Sequence, residues 1–290
     1  MTSAKRAKTR IGVAIALAAA LAPLAAAQAM GSADLYYERT LMRAADDRCN
    51  LFAPQISTAL DAAASQARGA ALRSGATAAA LSSVESRAKA KAAATPCASP
   101  DLTRAAARVR DAFDGWSRTA RMSFPGAQAD WRADRTAYRS TAWKLSQSTR
   151  MGADDATFGL AGQGDGRALL AVVRFSDGAR PYAARLVLRD AARTSRPWLP
   201  DARAGETPPR QIARVELAQA KGAASTTLAA GARDALAFRF PADTAQALAG
   251  LDPREQFAVE FVMPDDSVRT ARFEVGDFAA GRAFLAMGAL

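Results

Sequence analysis

The spacing of the apolar residues changes once along this chain, close to residue 141. Before that point apolar residues recur at intervals of three and four, the period of a helix that buries one face. After it apolar and polar residues alternate between regularly spaced turn signals, as in half-buried strands. The sequence therefore predicts an α+β protein, with a helical domain at residues 30–140 and an antiparallel, sandwich-like β-rich domain at residues 141–290.

The first 29 residues have the organisation of a secretory signal peptide. A basic start is followed by an apolar run over residues 11–21, a helix-breaking Pro23 and small residues. Cleavage after Ala29 fits the small-x-small rule best, and cleavage after Ala27 is the second option. An uncleaved anchor helix is the alternative, but alanine is weakly apolar for a membrane span. We expect a soluble protein that is periplasmic or secreted.

Cys49 and Cys97 are the only cysteines, and they bracket an alanine-rich stretch. In the oxidising compartment that a signal peptide implies, a disulfide between them is the expected state. The bond would join the end of the first helix to the start of the fourth. The helical domain is therefore predicted to be disulfide-stapled.

Four helices are predicted in this domain. The first starts at a Ser32 cap and reaches Cys49, and the second runs from Pro54 to near Gly75. The third passes through Leu81 and Val84, and the fourth follows a Ser99 cap. The fourth carries the clearest apolar stripe, which we interpret as core-facing: Leu102, Ala106, Val109, Phe113, Trp116 and Ala120.

Eight strands and two short covering helices are predicted in the β-rich domain. The turns at 176–178 and 264–266 are expected to form hairpins. The strands are Trp143 to Ser148, Thr157 to Ala161, Leu169 to Phe175, Tyr182 to Arg189, Ile212 to Ala218, Ala235 to Phe240, Phe257 to Val262 and Val268 to Val275. The helices are Ala242 to Leu251 and Asp277 to about Met287.

The charge of the chain limits the kinds of partner that we expect it to bind. The formal charge is +11, of which four positive charges precede residue 11, so +7 remains after cleavage. An exported basic protein meets anionic lipid headgroups or lipopolysaccharide phosphates before it meets nucleic acid. We expect an envelope component or another periplasmic protein as the partner. An anionic membrane or lipopolysaccharide surface is a further possible partner, and we expect no binding of nucleic acid. Dispersed arginines are equally typical of a solvated surface.

The chain has no histidine, which excludes several chemistries. Histidine triads, Cys-His nucleophile pairs and imidazole zinc sites cannot be built. We expect a non-enzymatic protein without cofactor or metal. The alternative is a carboxylate-based hydrolase of cell-wall or glycan substrates using Asp177, Asp265 or Glu260, which requires two carboxyls roughly 5–10 Å apart.

Arginines and aromatic residues are mixed around the predicted domain boundary, and six of them form the candidate binding set. Stacked arginine and aromatic side chains could instead stabilise the seam between the two domains. The set is Trp131, Arg132, Arg135, Tyr138, Arg139 and Trp143.

The C-terminal segment at residues 268–285, VRTARFEVGDFAAGRAFL, places a strand, a glycine and a short helix in succession. In this order it resembles the C-terminal part of the invasion-associated locus B family. Members of that family are small exported β-rich envelope proteins, so the resemblance implies a noncatalytic role at the cell envelope. The expectation is an exported binding or scaffold protein associated with the bacterial envelope.

Overall fold

The computed structural model describes residues 21–136, 142–162, 168–199, 207–223 and 234–290, with the backbone alone over 21–30. Helices occupy the first part and antiparallel strands the second, which confirms the predicted α+β class. Among the helices in these ranges, none has both the length and the apolar character needed to span a membrane.

Four helices open the described chain. They are α1 (Leu21–Cys49), α2 (Pro54–Arg73), α3 (Ala78–Ala94) and α4 (Pro100–Ser117). Pro54 and Pro100 begin their helices as predicted, because proline suits the first turn. Ser32 does not cap α1, because the helix already includes the alanine-rich residues that precede Ser32, and alanine has the highest helix propensity.

The helices pack through two clusters that combine alanines with larger apolar side chains. One cluster joins α1, α2 and α3 around Tyr36, Leu72 and Leu81. A second cluster joins all four helices around Met42 and Leu60. The predicted disulfide is present: Cys49 and Cys97, with Cα atoms 5.6 Å apart, link the end of α1 to the turn before α4.

All eight predicted strands are present, and the described ranges contain three further short strands that precede or separate them. The strands are β1 (Arg121–Phe124), β2 (Trp131–Asp134), β3 (Trp143–Met151), β4 (Asp154–Ala161), β5 (Ala168–Arg174), β6 (Ala183–Arg189), β7 (Ala213–Leu217), β8 (Ala220–Ala223), β9 (Leu236–Phe240), β10 (Gln256–Val262) and β11 (Val268–Glu274). The covering helices are α5 (Thr244–Ala249) and α6 (Phe278–Ala286). Because β1 and β2 precede residue 141, the sheet includes residues from the helical side of the boundary that the sequence suggested.

The strands form two sheets that enclose one aromatic core. The larger sheet has the order β1-β2-β3-β4-β5-β9-β8 and the smaller has the order β11-β10-β6-β7. Phe158 in the larger sheet lies 4.9 Å from Phe257 in the smaller, measured between ring centroids. The turn at 264–266 forms the expected hairpin, whereas the turn at 176–178 links β5 to β6 in the other sheet and is therefore not a hairpin.

The helices join the sandwich through α2. Ala59 and Ala62 of α2 belong to the same buried cluster as Phe278 and Phe284 of α6. Two turns further along α2, Gly69 lies against Asp277, the residue that precedes α6. The two parts of the chain therefore share a core.

Candidate functional site

Two members of the predicted aromatic-arginine set are buried inside the protein. Trp131 has no exposed surface, and its indole Nε1 donates to the carbonyl of Val275 at 2.9 Å. Arg135 is 4% exposed and lies 5.1 Å over the ring of Phe284. Burial lowers the pKa of the Arg135 guanidinium. Neither residue presents its side chain to a ligand at the surface.

Arg135 holds three distant parts of the chain together. Its guanidinium donates to the carbonyls of Ser117 and Thr119, at the end of α4, and to those of Met287 and Gly288 near the C-terminus. A buried arginine that donates to several carbonyls satisfies its polar atoms without a carboxylate. This geometry matches the seam interpretation of the aromatic-arginine stretch.

The other members of the set are dispersed. Arg132 is exposed, and Trp143 is half-buried against Ala161 and Leu170. Tyr138 and Arg139 lie outside the described residues. The four described members therefore do not form one continuous surface, because β2 alternates its side chains between core and solvent.

The carboxylates proposed for acid-base chemistry are each engaged elsewhere. Asp177 accepts from Arg269 at 2.6 Å, and that hydrogen bond lowers the pKa of Asp177. A hydrogen bond from Ser267 lowers the pKa of Asp265, and Glu260 pairs with Arg185. A glycosidase acid needs a raised pKa, so these shifts run in the opposite direction. Within the described ranges, no three acidic or cysteine side chains are grouped to hold a metal ion.

An open groove between α1, α2 and α4 is a candidate site. Its cavity volume is about 550 Å³. It arises because the apolar stripe of α4 is buried only at its start, at Leu102 and Ala106. Further along α4, Val109, Phe113 and Trp116 stay partly exposed and form one wall.

The opposite wall and floor of the groove come from α1 and α2. Tyr37 and Leu41 line the α1 side, while Met42 and Leu60 close the floor. The rings of Phe113 and Trp116 meet edge to face with centroids 5.5 Å apart, which orients the α4 wall. The groove is therefore mainly apolar with preset aromatic geometry.

Three charged side chains also line the groove: Glu38, Arg39 and Arg108. Arg39 is half-buried and donates from Nη1 to the carbonyl of Ala63 at 2.6 Å. Burial lowers the pKa of Arg39, and the nearby carboxylate of Glu38 opposes that shift. Arg108 is exposed at the rim.

The sequence interpretation missed this groove because it assigned the whole α4 stripe to the core. The pattern does contain a signal: Arg108 directly precedes Val109 on the helix, and exposed charged residues surround Phe113 and Trp116 in the later part of α4. A second cavity of about 530 Å³ lies between α5, α6 and the larger sheet. Its arginine, Arg282, already donates to Ala245 and Gln246, so it offers less to a ligand.

Comparison of the chain with protein-family models, with curated proteins and with solved structures found no match.

Proposed function

We propose that the protein is exported and acts as a non-enzymatic binding protein of the bacterial cell envelope, with the α1-α2-α4 groove as its ligand site. The observation that carries the proposal is the partly exposed apolar wall formed by Val109, Phe113 and Trp116. A cavity of roughly 300–1,000 Å³, mostly apolar with a few polar groups, is the usual form of a small-molecule site.

Export is supported by the signal-like N-terminal sequence together with the disulfide. It is also compatible with the packing of α1. The first described side chains of α1 that pack against α2 and α3 are Ala33 and Tyr36, after both candidate cleavage positions. Cleavage after Ala27 or Ala29 would leave these contacts in place. The resemblance of residues 268–285 to the invasion-associated locus B family points to the same compartment.

An uncharged fluorescent probe, phenylnaphthylamine, tests the groove as an apolar site. We expect the purified protein to bind the probe and enhance its emission. Ala112 lines the groove, so Ala112→Trp should fill it and weaken probe binding by about tenfold or more, a loss of about 1.4 kcal/mol.

Ala107→Trp is the matched control, because Ala107 is exposed on the same helix but does not line the groove. It should leave probe binding unchanged, and circular dichroism should confirm that both variants fold. Unaltered binding by Ala112→Trp, or no binding by the unmodified protein, would remove the groove from the proposal.

A further inference from the structure

We propose that the ligand of the groove is a single-chain amphiphile with an anionic headgroup, whose chain lies along α4 and whose headgroup is bound by Arg39 and Arg108. This inference rests on the proposed function, since it names the ligand class of the same site. It is based on the ion-pair and hydrogen-bond partners of the arginines around the groove, and on the length and volume of the groove along its apolar wall.

Arg108 differs from the other arginines of α4. Arg104 pairs with Asp101, and Arg118 pairs with Asp114. Arg110 donates to the carbonyl of Leu51 and lies over an aromatic ring. Within the described part of the chain, Arg108 makes no ion pair or hydrogen bond, and it is the one that lines the groove.

Arg39 differs in the same way from its neighbours on α1. Arg43 pairs with Asp61, and Arg48 donates to carbonyls at the end of α3. Arg39 is half-buried, and its single hydrogen bond among the described residues goes to the carbonyl of Ala63, a neutral acceptor. A partly desolvated cation without a carboxylate gains from binding an anion, because hydrogen bonds between opposite charges are the stronger class.

The apolar wall suits a single chain. From Ala105 to Trp116 the groove follows α4 for about 16 Å, at roughly 1.5 Å per residue. This length accommodates an extended dodecyl chain beside Val109 and Phe113. A cavity of about 550 Å³ is of small-molecule size, which favours one chain over a diacyl lipid.

Glu38 is the one carboxylate that lines the groove. Its charge weakens the attraction of Arg39 for an anion, because the two residues are electrostatically coupled. Removing that charge without changing the shape should therefore strengthen the binding of an anionic ligand. Glu38→Gln therefore tests for a gain of affinity. A purely structural role for Arg39 would not produce that gain.

Three ligands with the same chain and different headgroups test the inference: dodecanoate, dodecanol and dodecylammonium, each below its micelle concentration at low salt. Calorimetry or Trp116 fluorescence should show dodecanoate binding about tenfold tighter than dodecanol and dodecylammonium weakest. Arg108→Gln should remove most of the preference for dodecanoate over dodecanol, and Glu38→Gln should increase it. Arg104→Gln, on the same helix but paired outside the groove, should leave it unchanged.

The outcomes separate this inference from the proposed function. If dodecanol binds as tightly as dodecanoate, or Arg108→Gln leaves the preference intact, the groove remains an apolar site and the anionic headgroup is wrong. If none of the three ligands binds, both the ligand class and the groove as binding site fail. Arg108 is exposed, so loss of folding in the variant is not expected, and circular dichroism checks this directly.

Discussion

Gly69 lies at the closest approach between the helical part of the chain and the sandwich. A Cβ atom built on Gly69 would lie 2.0 Å from Oδ1 of Asp277. Asp277 is 3% exposed and is held by both terminal nitrogens of Arg73. Glycine in the middle of a helix costs about 1 kcal/mol relative to alanine, so a close contact gives a physical reason for it here.

Gly69→Ala should destabilise the protein. The new methyl group must displace the Asp277 carboxylate from Arg73, and overpacking of this kind lowers the free energy of unfolding by about 1–3 kcal/mol. Urea denaturation followed by circular dichroism measures the change. Gly115→Ala is the matched control: Gly115 is also helical, has nothing within 4 Å of its added Cβ, and should gain up to about 1 kcal/mol. Equal effects of the two substitutions would contradict the close-contact explanation.

At the scale of single residues, the sequence predicts the features that depend on residues nearby in the chain or on the residue type itself. Pro54, Pro100 and the Cys49–Cys97 pair are of this kind, and each is found as expected. The burial of Arg135 is of another kind, because its carbonyl partners come from the end of α4 and from the C-terminus. No local pattern distinguishes such an arginine from the exposed Arg132 nearby.

Among the elements, α4 is linked to α1 through the start of the helix. The disulfide joins the turn before α4 to the end of α1, and Arg110 bonds the loop that follows α1. Towards Trp116 the apolar stripe is only partly covered, which leaves the groove. The disulfide therefore helps to position α4 against α1, while Arg135 bonds the opposite end of α4.

Removing the disulfide should destabilise the protein. With the two cysteines separated by 48 positions, loop-closure entropy gives about 4 kcal/mol as an upper estimate. Cys49→Ser with Cys97→Ser should unfold at a lower urea concentration, as should the reduced protein. Reducing agent added to the double variant is the control and should have no further effect. An unchanged midpoint in both cases would show that the bond does not stabilise the helices.

The strands show which elements periodicity can detect. Alternation over five or more residues predicted eight strands with bounds within three residues of those observed. The three that it missed, β1, β2 and β8, have four residues each, and every residue of β8 is exposed. Four residues are too few to identify a strand by alternation, even where the strand alternates as β2 does, and β8 has no buried face. Pairing with neighbouring strands defines them instead.

For the whole molecule, the shared core predicts one unfolding transition. Ala59 and Ala62 of α2 are buried among residues of the sandwich, and Arg73 binds Asp277 across the junction. We expect helix loss, followed by far-ultraviolet circular dichroism, to coincide with exposure of the core, followed by tryptophan fluorescence. Two separated transitions would indicate that the helices and the sandwich unfold independently.

The contact between α2 and Asp277 joins residues 204 positions apart, which has a consequence for how the chain folds as it emerges. A protein chain is synthesised from its N-terminus, so α2 appears long before the residues that cover its alanine face. Until α6 has been synthesised, Ala59 and Ala62 have no partner in the sandwich, and the packing of the early helices is incomplete. The packing of α2 is thus completed only when Asp277 and α6 have been synthesised.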